Sequence, residues 1–262
     1  MAETQMSVTL IAHTKLSEDF ATQNEIDALR YNFTVNGKHL EATDGQIVAL
    51  TAIRTCYSAG KPSEIFEKEG DKYFRQSASD GEDGTEADRL FRHITRSGHT
   101  STLEHITYTF AIEGVSRALL AQLTRHRVGF SFSVQSQRYV RFGSDDKTGG
   151  FDYVVPPSVT EDKQVSEMLT AKDAFMQAMM FIQAAYDQLR AAGVPAEDAR
   201  MVLPNAAATN LTMTANLRAL LDFYGKRRKG RGAQWEIAEL AEQLRAAVVA
   251  VDPWTEPYFD AV

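Results

Sequence analysis

Gln122-Leu-Thr-Arg-His-Arg-Val-Gly-Phe-Ser-Phe-Ser-Val-Gln-Ser-Gln-Arg-Tyr139 contains both kinds of element from which the fold is built. Its first residues close a helix predicted over 115–126 with Ser116 as cap, so Gln122, Arg125 and His126 fall near the C-terminal end. Val128-Gly129 follows, where glycine can absorb a turn, and Phe130 to Tyr139 then alternates as a half-buried strand does. The charged residues of the stretch are all cationic: Arg125, His126, Arg127 and Arg138, with Arg141 just beyond. Guanidinium groups are permanently charged forks that grip phosphate and carboxylate through paired hydrogen bonds. In a chain of formal net charge −7, such an island points to a discrete anion site and not to a generally basic surface.

Outward from this stretch, residues 6–13 read as a short β-branched strand. Thr43-Asp-Gly-Gln46 has the form of a capping box and opens an amphipathic helix through Ile47, Leu50 and Ile53 to about Tyr57. Cys56 on that helix reads as a small, semi-buried thiol, since no base stands at a local spacing that would activate it. Residues 59–87 look like a polar loop, a second helix runs from a Thr85 cap to Gly98, and Ile106–Glu113 alternates as a strand. After Pro156-Pro157 a long helix is expected to reach Ala192; its Met176, Met179, Met180, Phe181 and Ile182 suit a core or a subunit interface. A short helix over 196–202, a strand over 210–215, and helices over 216–228 and 234–251 complete the pattern. With no internal repeat and no linker, the expectation is one domain over residues 1–262. Its class is α/β of the α+β kind, a mixed or antiparallel sheet flanked by long helices.

Composition narrows the function. At 262 residues the chain buries roughly 70 % or more of its unfolded surface, so it needs neither disulfide nor metal to hold together. Cys56 is the only cysteine, which excludes an internal disulfide and multi-cysteine metal sites and suits a reducing compartment. No leader pattern stands at Met1-Ala-Glu-Thr-Gln5, and no apolar run approaches the roughly 20 residues of a membrane span. The acidic balance argues against duplex DNA as a partner. A cytoplasmic protein acting on something small and anionic is expected, with neither nucleic acid nor membrane as partner.

Several chemistries lack their residues. His99 and His105 are six apart, which does not place two metal ligands on one helical face, so no metal is expected. Neither a dinucleotide Gly-x-Gly-x-x-Gly, nor a phosphate loop, nor a Gly-x-Ser-x-Gly elbow is present. What remains are arginines set among small hydroxyl and amide residues: Arg125, Arg127, Arg138, Arg200, Arg218 and Arg227. They fit a nucleotide or oligophosphate pocket. A module that binds nucleotide or RNA without turnover, stacking bases on Phe130, Phe132 and Tyr139, is the alternative.

Arg125-His-Arg127 followed by Ser136-Gln-Arg-Tyr139 resembles the signature of the flavin-dependent thymidylate synthases. His99-Thr-Ser-Thr-Leu-Glu-His105, Glu197-Asp-Ala-Arg-Met-Val-Leu-Pro204, Asn216-Leu-Arg218 with Arg227, and Ala233-Gln-Trp-Glu-Ile237 resemble further family segments in the same order. The resemblance implies a homotetramer with active sites at subunit junctions. Each site would use FAD, NADPH and methylenetetrahydrofolate to convert deoxyuridine monophosphate (dUMP) to thymidylate, without a cysteine nucleophile. It assigns Ser101, Arg125, His126, Arg127, Val134, Asn216, Leu217, Arg218 and the position of Asp222 to the flavin. Gln122, Arg125, Ser136, Arg138 and Arg200 go to dUMP, with Leu123, Thr124, Val134, Gln135 and Gln137 lining the same pocket. Arg227 takes the catalytic place beside the uracil, with Arg228 as its rival, and His99 and Glu104 lie toward the folate and nicotinamide.

The chain departs from the family pattern at four points. Eight residues, Val128 to Gln135, separate Arg127 from Ser136 where seven are usual. Val134 replaces Glu or Gln, leaving only backbone contacts to expect there. Asp222 replaces His or Asn, an unfavourable charge beside an anionic cofactor unless it is paired. The loop after Arg227 is one residue longer and lacks the usual histidine.

Overall fold

Short hydroxyl and amide side chains set most helix starts in this protein, because each can accept a hydrogen bond from one of the N–H groups a helix leaves unpaired. The computed structural model describes residues 1–24, 26, 32–35 and 38–262. In chain order come β1 (Ser7–His13), α1 (Glu18–Gln23, capped by Ser17), β2 (Asn32–Val35), β3 (Lys38–Glu41) and α2 (Asp44–Thr55). The Thr43–Gln46 capping box at the start of α2 forms as expected, with Gln46 N donating to Thr43 Oγ1 at 3.2 Å and Thr43 N to Gln46 Oε1 at 3.3 Å. Then follow α3 (Ile65–Phe74), α4 (Glu86–Arg96), β4 (Thr107–Ser116), α5 (Arg117–Leu123) and β5 (Phe130–Val134). The chain ends with β6 (Gln164–Ser166), β7 (Leu169–Thr170), α6 (Ala171–Ala191), α7 (Ala196–Ala199), β8 (Ala208–Asn216), α8 (Leu217–Arg227), α9 (Trp235–Val251) and α10 (Glu256–Asp260). No helix among the described residues is long and apolar enough to cross a membrane.

The main sheet has the order β1-β4-β8-β5. Hydrogen bonds just outside the strands show its sense: Arg117 N reaches Ala207 O and Leu217 N reaches Ile106 O, so β4 and β8 run antiparallel. Gln135 N to Asn210 O and Asn216 N to Gly129 O give the same sense for β5 and β8. Two small antiparallel ribbons, β2-β3 and β6-β7, stand apart from this sheet.

Residues 1–9, 111–127 and 132–213 form one compact unit, and residues 10–110, 128–131 and 214–262 a second. The first is centred on Phe151, Tyr153, Tyr186 and Met179, with Phe175 and Ile182 packed against them. The second buries Ile47, Leu50, Ile53, Phe91, Tyr108, Phe110, Phe223, Leu240 and Phe259. It is pinned by Asp252, a wholly buried carboxylate that accepts from Tyr108 Oη (2.7 Å), Trp254 Nε1 (2.9 Å) and the Thr43 hydroxyl. A Cβ on Gly45 would lie 2.8 Å from both Asp252 carboxylate oxygens, so glycine is needed there for packing alone.

The structure corrects several expectations. Residues 59–87 are not all loop: α3 lies within them, burying Ile65, Phe66, Tyr73 and Phe74. Its apolar residues come in two pairs with nothing apolar between, and this hid the helical period. The long helix begins only at the Thr170–Asp173 capping box, after the β6-β7 ribbon, and not at the proline pair. The helix expected over 115–126 contracts to α5, because β4 carries through to Ser116. The strand expected to reach Tyr139 stops at Val134, and Val140 N turns back onto Ser136 O at 2.9 Å. Cys56 is exposed, not semi-buried: it caps the C-terminal end of α2.

Candidate functional site

In the first unit, Leu119, Leu120 and Leu123 anchor α5 in the core. This leaves Gln122 half-buried and Arg125 exposed. The Thr124 hydroxyl is spent on Leu120 O at 2.9 Å, so Leu123 and Thr124 shape this segment more than they present groups. Arg127 is exposed and His126 half-buried. After β5 the chain is held by Gln135 N on Asn210 O (2.9 Å) and by Arg138 N on Ser136 Oγ (3.3 Å), with Gln137 buried beneath. Arg138 and Arg200, 62 residues apart in sequence, both meet Glu197. Arg138 Nε donates to its carboxylate at 3.1 Å, and Arg200 Nε to its backbone carbonyl at 2.9 Å. A guanidinium tethered through Nε still has the edge formed by its two terminal nitrogens, the edge that forks a phosphate. Glu197 was legible only as one letter of a motif; its part as the common tether needed coordinates.

In the second unit, the 3-10 turn Thr100–His105 packs against α2 and α8. That placement explains the pairing of Arg218 with Glu104. Ser101 is exposed. It lines a cavity of about 920 Å³ together with Thr102, Glu104 and His105 on one side, and Thr51, Thr55 and Cys56 of the α2 segment on the other. His99, at the start of the turn, is braced by Tyr57, whose hydroxyl lies 3.0 Å from Nδ1 and whose ring meets the imidazole edge-on at 5.9 Å. No local sequence signal pointed to Tyr57.

Asn216 caps α8 by accepting from Ala219 N at 2.8 Å, and its own N–H reaches Gly129 O at 3.1 Å. Gly129 has φ of +75°, and a Cβ there would lie 2.7 Å from both Ala219 Cβ and Asn216 Nδ2. Gly129 is therefore a glycine that nothing larger can replace without movement, while neighbouring Val128 points into solvent. Leu217 is fully buried and its N–H is taken by Ile106 O at 2.8 Å, so it seats α8 and offers no side chain to a ligand. Asp222 is paired with Lys226 at 2.7 Å, which removes the objection that an unpaired acid stands there. Arg227 ends α8, half-buried, and Arg228 leaves it in extended geometry.

In each unit the arginines and hydroxyls suit an anionic ligand. A cavity of this volume suits a cofactor portion of comparable size. The sequence-predicted residues therefore fall into two groups. Gln122 to Arg127, Val134 to Arg138 and Arg200 belong to the first unit. His99, Ser101, Glu104, Asn216 to Arg218, Asp222 and Arg227 belong to the second.

The family described as thymidylate synthase complementing protein matches residues 39–254. A flavin-dependent thymidylate synthase from Geobacter sulfurreducens is 42 % identical over 210 residues, 80 % of each chain. Among solved structures, the fold is similar to the UMP/dUMP methylase PolB from Streptomyces cacaoi, bound with 5-Br dUMP. The TM-score is 0.67, at 21 % identity over 99 % of this chain and 96 % of that one. It is also similar to thymidylate synthase X from Helicobacter pylori with FAD and dUMP (TM-score 0.61, 22 % identity, 98 % of each). The span of the family match and the identity held across most of both chains leave one assignment: this chain belongs to the flavin-dependent thymidylate synthases.

Proposed function

We infer that the protein converts dUMP to thymidylate, taking the one-carbon unit from methylenetetrahydrofolate and reducing equivalents from NADPH through FAD. Membership of the family carries this reading, and the gathering of Arg138 and Arg200 at Glu197 supplies its phosphate grip. When bound, FAD supplies the hydride that completes the methyl group. The protein's own residues bind and orient. Arg138 and Arg200 fork the dUMP phosphate, while Gln122, Ser136 and the backbone from Val134 to Gln137 set the nucleotide's register. Arg125, His126, Arg127, Ser101, Asn216 and Arg218 hold the flavin, with Glu104 keeping Arg218 in place. His99 and Glu104 flank the folate and nicotinamide approach. Arg227 sets a fixed positive charge beside the uracil, favouring its ionised, electron-rich form.

The full chain acts as one catalytic domain in a cytoplasmic homotetramer. On α6, Met180 and Phe181 are 63 % and 74 % exposed, as large apolar side chains are when they await a subunit contact. Substituting Arg200→Ala removes charge-assisted bonds worth about 1.5–3 kcal/mol. Titration of the flavin absorbance with dUMP should then show affinity about 10- to 100-fold weaker, with FAD retention nearly unchanged. Loss of FAD with dUMP affinity intact would reverse the pocket assignment.

A further inference from the structure

The family match begins at residue 39, yet the 920 Å³ cavity of the second unit takes part of its wall from residues ahead of that point. Lys15, Leu16, Ser17 and Phe20 line it together with Val48 and Ser101. This stretch is fixed at two places. Thr14 is bonded to the start of β4, where Thr107 N donates to its hydroxyl at 2.8 Å and its own N–H reaches Thr107 O at 3.0 Å. Asp44, at the start of α2, accepts from Leu16 N at 3.3 Å, and the same carboxylate oxygen stands 3.5 Å from Lys15 Nζ. From there α1, capped by Ser17, runs for six residues and buries none of them. A helix this short has little stability of its own, so these ties set where it lies.

The segment adds no side chain to the core; it adds a wall to the cavity. Leu16 and Phe20 are half-buried, and both face the cavity. The same cavity carries polar groups: the exposed Ser101, and Glu104, which holds Arg218. Apolar surfaces with a few polar groups among them suit a planar heterocycle, which has apolar faces and hydrogen-bonding edges. An aromatic side chain against such a face contributes to affinity whichever ring it meets.

We propose that Phe20, from the segment ahead of the family match, is an added cofactor-binding residue that packs against a planar ring of FAD. This rests on the reading that the chain binds FAD at Ser101. FAD offers two such rings, the flavin and the adenine. The full chain, Phe20→Ala and Phe20→Tyr are therefore titrated, free of flavin, with FAD, FMN and ADP, and melted with and without FAD. Phe20→Ala should bind FAD about 5- to 150-fold more weakly, while Phe20→Tyr, which keeps the ring, stays near the parent. A matching loss for FMN supports the flavin ring as the contact, and a matching loss for ADP supports the adenine. Without FAD the Tm of Phe20→Ala should lie within about 2 °C of the parent, because α1 buries nothing, and the rise in Tm on adding FAD should shrink. Unchanged FAD affinity in Phe20→Ala would overturn the proposal alone, even if KM for NADPH or folate rose. So would equal losses in Phe20→Ala and Phe20→Tyr with a lowered Tm in the absence of FAD, the mark of a structural residue. Parent protein that binds no FAD would overturn the functional reading as well.

Discussion

Asp252→Ala is expected to destabilise the protein by about 3–5 kcal/mol, as removal of one partner from a buried charged network does. The carboxylate is wholly buried, and three side-chain donors converge on it from three parts of the second unit: Thr43 ahead of α2, Tyr108 on β4 and Trp254 after α9. Burial, then the adjacent Asp252 charge, push the Tyr108 phenol well above its usual pKa, so it stays protonated and donates. Truncation would strand these donors in the core and open a void beside Gly45. For a chain of this size the loss corresponds to a fall in Tm of roughly 10 °C, readable in a thermal melt. Asp252→Asn keeps the shape but turns an N–H₂ toward donors, and should fall between. A shift for Asp252→Ala of under about 2 °C would mean the network contributes little.

Arg227→Ala should have the largest effect on turnover. Removing a preorganised charge that acts mainly on the transition state lowers kcat by about 10²–10³-fold, with a smaller change in dUMP affinity. Arg227 closes α8, whose buried Leu220, Leu221, Phe223 and Tyr224 fix its direction, so truncation leaves the helix seated. Arg228→Ala is the paired control, because Arg228 follows immediately in extended geometry. If Arg228→Ala lost the turnover and Arg227→Ala kept it, the two roles would be exchanged.

Much of the fold could be read from local chemistry. The caps at Thr43, Thr85 and Ser116 announce their helices because a short acceptor before an amphipathic run has few other uses. Failures occurred where the signal is not local. The helix Ile65–Phe74 is held by Arg54 pairing with Glu69 at 2.6 Å, a contact that no short window of sequence displays. The strand stops at Val134 although the alternation runs on, because the chain turns back, Val140 N bonding Ser136 O at 2.9 Å. The site shows the same division. Motif letters located Arg138, Arg200, Arg218 and Glu104, whereas Glu197 as tether, Tyr57 as brace for His99 and the pairing of Asp222 with Lys226 are tertiary facts. Exposure of Cys56 on the wall of the 920 Å³ cavity was missed because the apolar face of its helix suggested burial.

That exposed thiol makes the central claim testable in a single comparison. The claim is a flavin-carried methylation that needs no cysteine nucleophile, and Cys56 is the only cysteine in the chain. Thymidylate formation should be measured for the parent protein and for Cys56→Ser with dUMP, methylenetetrahydrofolate, NADPH and FAD, and again with FAD or NADPH withheld. Both proteins should form thymidylate at comparable rates, and only when FAD and NADPH are both supplied. Product formed without flavin, or turnover abolished in a folded Cys56→Ser protein, would contradict it.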